Sequence, residues 1–139
     1  VHQFEFRLQR VLDYRELQEG WAKDALMAAR ASRLQAEATL VQMANEKQDA
    51  LSPQGDIRRL ISLESYVALL EDRIASQESV IAILSDEEQK AHADWNEART
   101  ALKSLLKLRE RAELEWQQEM QSAEQSLLDE WTQSRRDAS

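Results

Sequence analysis

The sequence has 139 residues, 42% of them hydrophobic and 32% charged, and a net charge of −8 at neutral pH. A length of this order suits one domain, and the excess of acid over base excludes sequence-independent nucleic-acid binding, which needs Lys and Arg to neutralise phosphates. With no cysteine present, a disulfide framework and a thiolate metal site are excluded as well.

Only two Gly and one Pro occur, while Ala, Leu, Glu, Gln and Arg dominate, the residues that lose least rotamer freedom in a helix. Aromatic residues make up 6%, which suits a thin packing seam better than a thick core. Residues Val1 to Leu12 mix charge with apolar side chains, unlike a secretory signal, and no apolar run approaches the roughly 18 residues of a membrane span. The expectation is a soluble, cytoplasmic, all-α protein.

The first helix is expected over about 4–50. Its best packing track, at alternating spacings of three and four, runs Leu8, Leu12, Arg15, Glu19, Ala22, Leu26, Ala29, Arg33, Ala36, Leu40, Met43, Lys47, Ala50. The strong punctuation of Leu51-Ser52-Pro53-Gln54-Gly55-Asp56 marks a turn over 51–56, because Pro lacks an amide donor and Gly tolerates positive φ.

A second helix is expected over about 57–136. Its track runs Leu60, Leu63, Val67, Leu70, Ile74, Gln77, Ile81, Leu84, Glu88, Ala91, Trp95, Ala98, Leu102, Leu105, Arg109, Ala112, Trp116 without a change of phase. It continues as Met120, Ala123, Leu127 and Trp131 after a stutter in which two four-residue steps adjoin. Ser85-Asp86-Glu87-Glu88 has the form of a capping box, so a three-helix variant broken near Ser85 is the lesser alternative.

A short turn between long helices makes them antiparallel. The fold class is therefore an antiparallel coiled-coil hairpin forming a single domain over 1–139. With the turn near residue 54, facing positions have numbers adding to about 107, which sets Leu40 by Val67, Leu26 by Ile81 and Leu12 by Trp95. Arg15 and Glu19 then fall near Glu88 in a polar layer, with Arg15 and Glu88 either a register-setting pair or both reaching solvent.

Catalytic chemistry has no foothold in this pattern. His2 and His92 belong to no metal-ligand set, Gly20 and Gly55 are isolated and cradle no phosphate, and the carboxylates suit solvated heptad faces. No enzyme activity, cofactor, metal or small-molecule ligand is expected. The basic cluster Arg99, Lys103, Lys107, Arg109 and Arg111 is interrupted by leucines, which favours a protein-facing surface.

Two regions carry candidate interaction residues. In the expected register helix two outruns helix one, leaving Leu105 to Trp131 unpartnered. Leu108, Trp116, Met120, Leu127 and Trp131 then form an exposed apolar stripe, the mark of an interface with a foreign partner or with a second copy. At the hairpin end Met43, Tyr66, Leu70 and Arg73 cluster. Tyr66 and Arg73 lie beside the seam and face outward, while Leu70 also serves the seam.

The opening Phe4-Glu5-Phe6-Arg7-Leu8-Gln9-Arg10-Val11-Leu12-Asp13-Tyr14-Arg15-Glu16 resembles the N-terminal signature of the flagellar FliJ family: an aromatic pair, Arg-Leu-Gln, an apolar pair and Arg-Glu. Further matches lie in Tyr66 to Ile74 and in Trp95, Ala98, Leu105, Leu108, Glu110, Arg111, Glu119, Glu124-Gln125, Asp129-Glu130 and Arg135. The resemblance implies a non-enzymatic component of the flagellar type III export apparatus, similar in fold to the central-stalk gamma subunit of rotary ATPases. Its implied partners are the hexameric export ATPase, the cytoplasmic domain of the export gate protein and export chaperones, at the inner membrane.

By the same likeness the paired termini, with Phe4, Phe6, Arg7, Leu8, Trp116, Met120, Leu127 and Trp131, enter the ATPase ring. Tyr66 and Leu70, with Met43 and Arg73, face the gate. The alternatives are a stalk component of an injectisome or rotary ATPase, and a structural homo-oligomeric coiled coil.

Overall fold

The computed structural model describes residues 3–52 and 57–138. All regular structure among them is helical: α1 spans Gln9–Ala50 and α2 spans Ile57–Asp137. Helix α1 starts five residues later than its composition suggested. Residues 4–6 are non-helical, and the Gln9 amide donates to the Phe6 carbonyl at 3.1 Å to close a turn before the first α-helical bond, Leu12 N–H to Leu8 O at 2.9 Å.

At the other end of α1 the Leu51 and Ser52 amides donate to the Lys47 and Asp49 carbonyls, at 3.1 and 3.2 Å. Lys47 lies in this last turn, where a cation complements the partial negative charge of unpaired carbonyls. Pro53 and Gly55 of the expected turn lie outside the described residues, as do Val1 and His2.

Helix α2 is unbroken through Ser85–Glu88, so the three-helix alternative is corrected. A break would have cost the burial of Leu84, Glu88 and Ala91, all three partly covered on one continuous face, and a local capping signal does not outweigh it.

The described chain divides into two compact units, Gly20–Asn96 and Val1–Glu19 with Glu97–Ser139. In the first, the two helices run antiparallel: Arg30 meets Glu88 at 3.1 Å and Lys47 meets Glu71 at 3.2 Å, while the Gln77 amide donates to the Ala36 carbonyl at 2.9 Å. Leu26 and Leu70 are buried to 1% and 0% exposure, and Ala36 is buried as well. In the second unit Arg109 Nε donates to Gln9 Oε1 at 3.2 Å, and Leu12 is its buried centre.

The apolar tracks are shielded as their spacing required. Every track position of α1 is buried or partly covered, and so is every one of α2 from Leu63 to Met120, leaving Leu60 exposed. The facing register, however, is shifted. Lys47 bonds Glu71 where the expected pairing set it by Leu60, and Gln9 bonds Arg109 where it was set by Ala98.

That shift is eleven residues, which is three helical turns. It carries one apolar face onto another and leaves the hydrophobic pattern equally satisfied. The expected neighbours Leu40 with Val67, Leu26 with Ile81 and Leu12 with Trp95 are corrected accordingly, and the choice passes to the polar positions of the seam.

Candidate functional site

Within the unit that joins the N-terminal segment to the second half of α2, a small aromatic clasp forms. Phe4 and Trp116 have ring centroids 6.0 Å apart at 56°, an arrangement tilted toward the favoured edge-to-face geometry. The Arg109 guanidinium lies 5.6 Å from the Phe4 centroid, within cation–π range. Arg109 also bonds Gln9 and approaches Glu113 at 3.7 Å, and Gln9 in turn donates to Asp13 at 2.9 Å. One seam arginine thus ties the N-terminal strap, the first turn of α1 and α2 together.

The strap leaves an open cleft lined by Phe4, Phe6, Leu8, Leu108, Ala112 and Trp116, with Arg7, Arg111, Glu5, Glu115 and Glu119 at its rim. Four of the expected ring-facing residues, Phe4, Phe6, Arg7 and Leu8, are therefore brought together with a fifth, Trp116. The expected overhang is corrected in extent. Leu105, Trp116 and Met120 are partly covered, and only residues 121–138 are exposed throughout. The physical cause is the three-turn shift, which moves the start of α1 and its strap toward the end of α2. Leu127 and Trp131 remain exposed, at 66% and 59%, and the Arg135 guanidinium covers one face of the Trp131 ring at 4.9 Å.

In the other unit, Glu88 occupies a seam position and is clamped by two guanidiniums. Arg30 Nε donates to Oε1 at 3.1 Å, Arg33 Nε donates to Oε2, and Arg33 also bonds Glu37 at 3.0 Å. The hydrogen bond from Arg33, opposed by desolvation and seconded by Arg30, holds the Glu88 carboxyl below its ordinary value. The same contact raises Arg33 above its own. The expected partner, Arg15, instead donates to Gln18 at 3.0 Å, because the observed register sets α1 residues 30 and 33, rather than 15, beside residue 88.

The expected gate-facing group is divided. Leu70 is wholly buried, so its side chain serves the seam and presents nothing outward. Tyr66 is 45% exposed and lines a shallow cleft with Asp49, Ala50, Ser52, Arg59 and Leu63. Arg73 is exposed and Met43 partly covered. Tyr66 and Arg73 are seven residues apart on α2, two turns along one face, whereas the observed register moves Met43 away from Tyr66 toward Ala75.

Sequence reasoning missed the clasp and the Arg30 contact. The signal for both was present: Gln77, Glu88 and Arg109 are the only three polar residues in the α2 track from Leu60 to Trp116, and a polar seam residue demands a partner on the facing helix. All three have one. His92 is exposed and shares a 3.1 Å hydrogen bond with Asn96. No group of three potential metal ligands gathers among the described residues, and no helix among them is long and apolar enough to cross a membrane.

A family model described as the flagellar FliJ protein aligns with residues 4–137. No curated protein and no solved structure matches significantly.

Proposed function

Because the chain belongs to the FliJ family of flagellar proteins, and is thereby related to flagellar export, we propose that it acts as a non-catalytic, central-stalk-like partner of a hexameric export ATPase. In this reading it links the ATPase to the export gate and to substrate chaperones, at the cytoplasmic face of the inner membrane. The observation that carries the reading is the family match over nearly the whole helical pair. The flagellar assignment is favoured over an injectisome by the same match.

The clasp end supplies the ring-facing surface. Phe4 and Trp116 brace each other, while Phe6, Arg7 and Leu8 line the neighbouring cleft, so an apolar floor with both charges at its rim is ready for a protein partner. Met120, Leu127 and Trp131 continue the same end of α2. The gate-facing surface is assigned to Tyr66 and Arg73, with Leu70 buried in the seam and Met43 displaced from Tyr66 by the observed register. ATP hydrolysis belongs to the partner.

The test separates the two ends. Phe6→Ala with Arg7→Ala should weaken binding to the export ATPase by about tenfold, as loss of an interface anchor does, with circular dichroism unchanged. Tyr66→Ala with Arg73→Ala should weaken binding to the gate's cytoplasmic domain and spare ATPase stimulation. Loss of both activities in either double variant contradicts the division.

A further inference from the structure

Charge is not spread evenly along this acidic chain. Five of its 18 basic residues and one of its 26 acidic residues fall in 98–111, so that stretch of α2 carries +4 and the rest of the chain −12. Within it Arg99, Lys103, Lys107 and Arg111 recur every four residues and are all exposed, while the track residues Ala98, Leu102, Leu105, Arg109 and Ala112 are partly covered. The four cations form a ladder about 18 Å long, from the helical rise over twelve residues, on a side of α2 that the seam leaves uncovered.

The ladder weakens its own helix, because like charges four residues apart repel and three such pairs follow one another here. Cations of the seam have carboxylate partners: Arg30 and Arg33 hold Glu88, Lys47 meets Glu71 and Arg109 meets Glu113. Lys103, Lys107 and Arg111 meet no carboxylate among the described residues, although Glu110 stands in the same stretch. Two leucines share the face. Leu106 lies three residues beyond Lys103 and Leu114 three beyond Arg111, spacings that set side chains next to each other, and they are 42% and 55% exposed.

We propose that this face docks an acidic amphipathic helix of another protein, its carboxylates on the ladder and its apolar side chains on Leu106 and Leu114. The cations fix the sign of the partner, and the leucines fix its class. A nucleic acid would leave the leucines uncovered, and an anionic bilayer, broader than the ladder, would also meet the −12 of the remaining chain. A second copy holds no matching ladder, since Glu115 and Glu119 are the only carboxylates of this chain four residues apart. Of the four cations only Arg111 borders the cleft assigned to the ATPase, so the proposal goes beyond the export reading.

The probe is a labelled synthetic helix with Glu at every fourth position and Leu beside it, and its control has the same composition in an order that breaks the spacing. Fluorescence anisotropy with the 139-residue chain should show the probe bound at least about tenfold more tightly than the control. Lys103→Gln with Lys107→Gln should weaken probe binding about tenfold, and Leu106→Gln should weaken it severalfold. The lysine variant should melt no lower than the parent chain, since it removes like-charge contacts. Equal binding of probe and control overturns the proposal, as does probe binding indifferent to the lysine variant, or a lower melting temperature for it. Tighter binding to duplex DNA, or to vesicles of phosphatidylcholine with phosphatidylglycerol, overturns it too. If the lysine variant loses the export ATPase while the parent chain binds probe and control alike, the ladder belongs to the ring and only this inference fails. If the parent chain binds no ATPase while the probe results stand, only the export reading fails.

Discussion

Glu88 sits where an apolar seam would hold Leu or Ala, and its two arginine partners explain how it can. A carboxylate taken partly out of water needs its oxygens satisfied, and Arg33 with Arg30 satisfies both. The result is directional: an Arg–carboxylate clamp fixes which turn of α1 meets which turn of α2, where leucines would accept several. Its pH dependence follows from the lowered carboxyl value. The unfolded chain takes up a proton on Glu88 at higher pH than the folded chain does. The clamp's contribution is therefore complete above the ordinary value near 4.5 and disappears as pH falls from there through the lower folded value. Arg33, raised from a value already far above neutral, adds no slope in this range. Thermal melts should accordingly show the wild-type chain losing stability below about pH 5 more steeply than Glu88→Gln, which starts lower at neutral pH and lacks this component. Parallel slopes would mean that the clamp does not persist in solution.

At the scale of the helices, periodicity decides most and leaves one quantity open. The three-and-four spacing of apolar residues placed both seams correctly, because burial follows a face and a face is fixed by spacing alone. Gly20 shows how strongly the rest of α1 supports that helix. It stands in the interior, and a Cβ added to it meets nothing within 4 Å. Gly20→Ala should thus stabilise the chain by about 0.5–1 kcal/mol through backbone entropy, measured by urea denaturation; destabilisation would show that the position needs glycine for a contact the helix pair does not reveal. Register was not legible in the same way. A slip of eleven residues preserves the apolar face, and Arg15 and Arg33 are chemically equal candidates for Glu88, so the residues named the interaction type without naming the pair. The late start of α1 was hidden for a different reason. Phe4 and Phe6 do not forbid helix by propensity, and spacing alone could not show that Phe4 packs against Trp116 and Arg109 of α2 from outside the helix.

For the molecule as a whole, composition already argued for a thin helical seam and against sequence-independent nucleic-acid binding. Its net charge is −8, and its surface carries an open cleft at the strap and an uncovered stripe at the end of α2. Leu70 is wholly buried, so of the expected gate-facing group only Tyr66 and Arg73 are exposed. A central stalk serves a whole ATPase ring with a single chain, and the stoichiometry of the complex reads out the proposed role. Native mass spectrometry of the export ATPase assembled with nucleotide and an excess of this chain should show one chain per hexamer, lost with Phe6→Ala and Arg7→Ala. Several chains bound per hexamer, or one bound equally well by that variant, would contradict the account.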